Sequence, residues 1–243
     1  MTKPTLVLLH GVGLDHSMWA PVADLLADDF AVVTPDLPGH GSRPPARPGV
    51  TLSDLADGVV GEVPHGSHLV GFSLGALVAQ HLARYRPELV RTLTSVSSVC
   101  RRTPAEREAV LGRLETAQAD IGAATARSLH RWYDGTDVAP AVVERTRATL
   151  MANDVTSFVS CYRVFATADA EIGPELGRIR VPALAITGAA DPGSTPEMTR
   201  RLADALPDCR AVVVPGARHM LPVEQPRQFV NHLTTFIGED AHV

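Results

Sequence analysis

The sequence predicts an α/β protein: a mostly parallel sheet of about six strands flanked by helices, with a helical cap inserted into it. Three observations predict it. Short β-rich runs at 5–9, 31–34, 67–70 and 91–97 are separated by helix-like segments, and that alternation implies a parallel sheet. The runs are nearly all apolar, as strands are when helices cover both faces of the sheet and neither face meets water. The same rhythm returns at 183–187 and 211–214, with helices over 196–206 and 225–237, whereas 101–170 carries no strand signal. Inside that stretch 104–116, 142–152 and the segment around 126–132 read as helices. The chain thus divides into a first core part (1–100), a helical cap (101–170) and a second core part (171–243). Ligands of open α/β sheets bind beyond the carboxyl ends of the strands, so an insertion following 91–97 would sit over that rim as a lid.

With 243 residues, 45% hydrophobic and 20% charged, the chain can bury a sizeable core as one embellished domain, which excludes a disordered or fibrous protein. A net charge of -5 supplies no basic field for nucleic acid or an anionic membrane, which leaves a small molecule as the expected partner. The three cysteines, Cys100, Cys161 and Cys209, are odd in number and far apart, as reduced thiols are. The apolar run 6–9 is too short for a signal peptide or a membrane span, so the expected location is cytoplasmic. No internal repeat is present, and the Pro- and Arg-rich stretch 38–48 reads as a surface loop.

The strongest chemical signal is Gly71-Phe72-Ser73-Leu74-Gly75, a Gly-x-Ser-x-Gly directly after one strand and directly before the helical run 76–85. Its glycines permit a sharp strand-to-helix turn that holds Ser73 in a strained conformation with its hydroxyl projecting at the helix N-terminus. A serine hydroxyl needs a base within hydrogen-bond reach, and that base needs an orienting group. Asp191 follows the 183–187 strand, and His219 follows the 211–214 strand after the turn Pro215-Gly216-Ala217-Arg218. Taken singly, Asp191 reads as a turn former before Pro192 and His219 as one histidine among ten. Ser, Asp and His in that order, each after a strand, read instead as a nucleophile, its orienting acid and its base. The amide of Val12, in the glycine turn 10–13, and the amide of Leu74 are the expected oxyanion donors. His10 reads as structural, and 36–42 as structural or pocket-lining. His65 and His68 lack a third ligand, so neither a metal nor a cofactor is expected.

These residues resemble the α/β-hydrolase superfamily: the His-Gly turn at 10–11, Asp36-Leu37-Pro38-Gly39-His40-Gly41, the elbow at Ser73, Asp191 and His219. The stretches 71–76, 188–196 and 217–226, with Arg131-Trp132-Tyr133 and 156–162 in the cap, are similar to those of 3-oxoadipate enol-lactonases. The resemblance implies an EC 3.1.1-type serine esterase or lactonase working through an acyl-enzyme. It also implies that the two antiparallel strands that commonly open the fold are missing here, since 5–9 begins so close to Met1. A truncated edge of that kind favours a homodimer. Serine at the elbow argues against the dehalogenase and epoxide hydrolase branches, whose nucleophile is a carboxylate. If the substrate is an enol-lactone bearing a carboxylate, Arg101, Arg102 and Arg131 are candidates to meet it and Trp132 to wall the pocket. Two alternatives share the same residues: hydrolysis of a carbon–carbon bond in a ring-cleavage product, and a non-catalytic member of the fold that binds a ligand beneath its lid.

Overall fold

A computed structural model of the chain describes residues 3–240. In chain order the elements are β1 (Thr5–Leu9), α1 (Ala20–Leu26), β2 (Ala31–Val33), α2 (Leu52–Asp57), β3 (Ser67–Phe72), α3 (Leu74–Tyr85) and β4 (Val90–Val96). Then come α4 (Pro104–Ala119), α5 (Ile121–Tyr133), α6 (Pro140–Met151), α7 (Val155–Thr167) and α8 (Asp169–Ile172). The chain closes with β5 (Ala183–Gly188), α9 (Pro196–Ala205), β6 (Cys209–Val214), α10 (Leu221–Glu224) and α11 (Pro226–Asp240). The six strands form one sheet in the order β2-β1-β3-β4-β5-β6, and every neighbouring pair is parallel.

The central strands β1, β3, β4 and β5 are almost completely buried; β1 and β5 are mainly apolar as that requires, whereas β4 also buries Thr92, Thr94 and Ser95. The expectation that neither face meets water fails at the margins, where β2 and β6 are partly exposed. Each has a neighbour on one side only, so less of the molecule covers it. Gln80 of α3 donates to the buried hydroxyls of Ser95 (3.1 Å) and Ser98 (3.0 Å). Helix α3 packs on β3, β4 and β1, α9 packs on β5 and β6, and α1 pairs with α11. Trp19, fully buried, meets Phe72 of β3 and Phe229 of α11 edge-on and tilted, with ring centroids 6.4 and 6.2 Å away.

Helices α4 to α7 follow β4 and form the cap over the strands' carboxyl ends. Sequence cues set their starts: Thr103 and Glu106 form a reciprocal capping box for α4, and Asp120 and Asp154 cap α5 and α7. The cap is fastened to the core at several points. Asn153 donates to the Gly13 carbonyl (2.9 Å), the Ser157 hydroxyl to the Gly39 carbonyl (2.9 Å), and Arg201 of α9 to Glu106 of α4 (2.8 Å). At its base Arg102 donates to Asp169 at 2.7 Å, both side chains essentially buried, with Arg107 adding a second guanidinium at 3.0 Å. Burial disfavours the charged Arg102, and Asp169 offsets it. Asp169→Asn strands that buried cation and should cost about 3–5 kcal/mol. Urea denaturation measures it, and a loss below about 1 kcal/mol would show that the pair does not fasten the cap.

Two buried histidines join the loops after β1 and β2. Nε2 of His10 accepts from the Leu37 amide at 2.9 Å, so Nδ1 carries the proton and donates to the Gly11 carbonyl at 2.8 Å. The His40 ring lies 5.1 Å from it, edge-on. Burial lowers His10 to about 4 and His40 to about 3. The unfolded chain takes up these protons near pH 6.5, so stability is full above that value and declines as pH falls from 6.5 toward 4. The His10 contribution alone is on the order of 3 kcal/mol. His16, raised chiefly by its hydrogen bond to Asp36, acts in the opposite direction but is mostly exposed and screened. Urea midpoints should therefore drop between pH 7 and pH 4.5; a flat profile would contradict neutral burial of these rings.

Candidate active site

Ser73 sits between the last residue of β3 and the first of α3, at φ 54°, ψ -110°. A non-glycine residue there carries about 1–3 kcal/mol of strain and persists only where its surroundings enforce it. The enforcement is backbone-to-backbone contact. A Cβ on Gly71 would lie 2.1 Å from the Gly75 carbonyl oxygen, and one on Gly75 would lie 2.4 Å from the Leu9 carbonyl oxygen. Strand and helix can meet this closely only with glycine at both places. The Ser73 amide donates to the Val96 carbonyl at 2.9 Å, which pins the turn to the neighbouring strand.

Asp191 follows β5, buried. Its Oδ1 accepts the amides of Gly193 and Ser194, each at 2.9 Å, while Oδ2 lies 2.7 Å from Nδ1 of His219. Burial pushes this carboxyl up; the His219 charge and ring hydrogen bond, with the two amides, outweigh burial and leave it below the usual carboxylate range. An ionised Asp191 accepts only, so Nδ1 of His219 is the donor. The His219 backbone is held by the Ser97 hydroxyl, which donates to its carbonyl at 2.9 Å. Its ring is clamped between Phe72 (centroids 5.0 Å) and Trp132 of α5, which stacks on it at 5.5 Å and 23°.

Ser73, Asp191, His219 and Val12 line one cavity of about 190 Å³ beneath the cap. Leu150, Phe158, Tyr162 and Phe165 supply its apolar wall. Gly13, at φ +74°, carries the rim turn hard against Phe158 and Leu150, where a side chain would collide. Among the described residues neither the Val12 nor the Leu74 amide donates to a backbone carbonyl. The 36–42 loop stays outside the cavity, and its Asp36 accepts from His16 and Ser42, so that segment is structural.

Of the cap residues expected to meet substrate, Arg131 and Trp132 line the cavity. Arg101 does not. It is exposed, its guanidinium reaching toward the Gly173 carbonyl at 3.4 Å, because the chain leaving β4 turns there with φ 46° toward the base of the cap. Arg102 is spent on Asp169. The cavity is lined instead by Arg113 of α4 and Arg127 of α5, which the sequence reading missed. Their signal was spacing: 109, 112, 113 and 116 share one face of α4, as 124, 127, 128 and 131 share one of α5. Ser97 was missed as well, and a lone buried serine after a strand gives no local cue to the partner it finds 122 residues away. Among the described residues no cluster of three or more His, Cys, Asp or Glu could hold a metal, and no helix is long and apolar enough to cross a membrane.

Comparison with known proteins agrees with this architecture. A succinate-derivative hydrolase of Acinetobacter baylyi, (E)-2-((N-methylformamido)methylene)succinate hydrolase, is 31% identical over 229 residues, covering 92% of this chain and 86% of its own. A pimeloyl-[acyl-carrier protein] methyl ester esterase of Edwardsiella ictaluri is 30% identical over 242 residues, covering 96% and 93%. The crystal structure of an enol-lactonase from Burkholderia xenovorans superposes with a TM-score of 0.88 at 27% identity, covering 98% of this chain and 92% of that one. The alpha/beta hydrolase family model matches residues 6–232, a span that runs from β1 into α11 and takes in the sheet, the cap and each of the rim turns. The chain belongs to the alpha/beta hydrolase family.

Proposed function

We propose that the chain is a serine hydrolase of carboxylic esters or lactones. The observation that carries the reading is the 2.7 Å bond between Nδ1 of His219 and Asp191, made in the same cavity that the strained Ser73 lines. Nε2 of His219 takes the Ser73 hydroxyl proton as Oγ attacks the carbonyl carbon. The amides of Val12 and Leu74 receive the oxyanion, and Leu74 adds the positive end of α3. His219 returns the proton to the departing alkoxide, which diffuses away from an ester and stays tethered in a lactone. Water, deprotonated by the same nitrogen, then releases the acid and frees Ser73. Asp191 holds the tautomer and stabilises the imidazolium. Residues 101–170 act as the lid that shapes the acyl and alcohol pockets. The ester and enol-lactone relatives support the ester-bond class, with lactones as the narrower reading.

A fluorophosphonate probe should add one phosphonyl group to the wild-type protein by intact mass, and none to Ser73→Ala. Ser73→Ala and His219→Ala should lower kcat by about 10⁴-fold or more, and Asp191→Asn by about 10³- to 10⁴-fold through the histidine tautomer. Folded wild-type protein that resists the probe and turns over no short ester or enol-lactone would overturn the assignment. Lactone turnover well above that of simple esters supports the narrower reading, and the reverse order removes it.

A further inference from the structure

We infer that Arg218 is a positioning residue that makes the cap part of the support of His219: by gripping the C-terminal end of α5 it keeps Trp132 stacked on the imidazole. The catalytic consequence rests on the hydrolase reading; the coupling of Arg218 to the ring stands on the contacts themselves.

Arg218 is tied at both ends. Its amide donates to Glu224 of α10 at 2.8 Å, while its side chain donates through Nε to the Arg131 carbonyl at 3.1 Å and through a terminal nitrogen to the Asp134 carbonyl at 2.7 Å. Both carbonyls belong to the end of α5, where a helix leaves its last acceptors without intrahelical donors. The Asp134 amide serves the His130 carbonyl and Thr136 serves that of Tyr133. Arg218 completes this cap from 87 and 84 residues away. An arginine suits the place twice over: its planar fork reaches two oxygens at once, and its charge meets the negative end of the helix dipole.

Trp132 lies between those two carbonyls in sequence, and its ring stacks on His219 with centroids 5.5 Å apart. The contacts close a circuit: indole on imidazole, Trp132 to Arg131 along the helix, the Arg131 carbonyl to the Arg218 guanidinium, and Arg218 to His219 along the chain. The circuit matters because χ2 of histidine is a broad torsion that rotamer preference leaves loose. The Asp191 hydrogen bond fixes one ring nitrogen, but Phe72 meets the ring tilted at 55°, so the near-parallel support, at 23°, comes from Trp132. The helix that carries this indole packs chiefly on α4 and α6, its neighbours in the cap. Arg218 ties the end of that helix to the loop of the base. It stays outside the cavity, so it acts on the chemistry through the ring and not through substrate.

The test reads the ring with and without turnover. In proton NMR of the full chain, the Nδ1 proton held between His219 and Asp191 gives a far-downfield resonance, identified by its loss in His219→Ala. Arg218→Met removes the donors and keeps the stem. It should broaden that resonance and lower kcat for a short ester about tenfold per fluorophosphonate-titrated serine, with KM within about twofold. Trp132→Leu should broaden the resonance likewise, and Trp132→Phe should restore most of it. If Arg218 acts through Trp132, the double variant keeps the kcat of Trp132→Leu alone to within about twofold, whereas independent effects multiply to about a hundredfold. Arg201→Met loosens the cap from α9 instead, and should leave the resonance and kcat unchanged. Should Arg218→Met not fold by circular dichroism, Arg218→Gln, which keeps one donor nitrogen, takes its place in the cycle. A sharp resonance and full kcat in Arg218→Met, multiplied losses in the double variant, or an equal loss in Arg201→Met overturns the inference. The two readings fail separately. A probe-labelled Ser73 with resonance and kcat unmoved by Arg218→Met sinks the positioning role alone, whereas a resonance lost in Arg218→Met, in a protein that resists the probe, sinks the hydrolase reading alone.

Discussion

Everything at the sheet rim depends on one close approach, the contact of the β3–α3 turn with its own backbone and with the end of β1. Gly75 sits so near the Leu9 and His10 carbonyls that the elbow and the glycine turn after β1 form a single rigid corner. The strain at Ser73 is sustained because its amide is fixed to β4 and both glycines leave no slack. At this corner, among the described residues, neither the Val12 nor the Leu74 amide donates to a backbone carbonyl. Under the proposed hydrolase reading, a pre-set pair of donors there needs no reorganisation when charge develops.

The second half of the sheet delivers Asp191 and His219 through equally short links. Asp191 is fixed by two backbone amides, and the His219 loop is tied to β4 by Ser97 and to α10 by Glu224, which accepts from the Arg218 amide at 2.8 Å. Phe72, the residue before the serine, touches the imidazole and reaches Trp19 behind it. Core packing and side-chain orientation at the site are therefore the same contacts. A parallel sheet makes this possible because β3, β4, β5 and β6 end at one edge, so groups separated by 28 to 146 residues arrive within one small cavity.

Much of this was legible in the sequence because it is written locally. Continuous apolar strands, the Gly-x-Ser-x-Gly turn and the order of Asp191 and His219 each carry their meaning within a few residues, and β1 falls on the residues expected of it. Other features were hidden for physical reasons. Helix α7 went unread because Val155, Thr156, Phe158 and Val159 favour strands, and only burial of Phe158, Cys161 and Phe165 against the cap and core makes the segment helical. The role of Arg101 was misjudged because neighbours in sequence diverge at a positive-φ turn, sending Arg102 inward and Arg101 outward. Spacing put Arg113 and Arg127 on one face of α4 and of α5, but only the tertiary packing of the two helices turns those faces toward the cavity.

Helix α5 joins the two halves of the site. Trp132 stacks on His219, Arg131 beside it lines the substrate cavity, and the Arg131 carbonyl accepts from the Arg218 side chain at 3.1 Å, one residue from the base. Arg218 also grips the Asp134 carbonyl at 2.7 Å, so the end of α5 is bolted to the loop that carries the imidazole. The end of α5 and the His219 loop are thereby joined through Arg131, Trp132 and Asp134. A cap fastened this way is more than a cover, because the helix that lines the cavity also stacks on the imidazole at its floor.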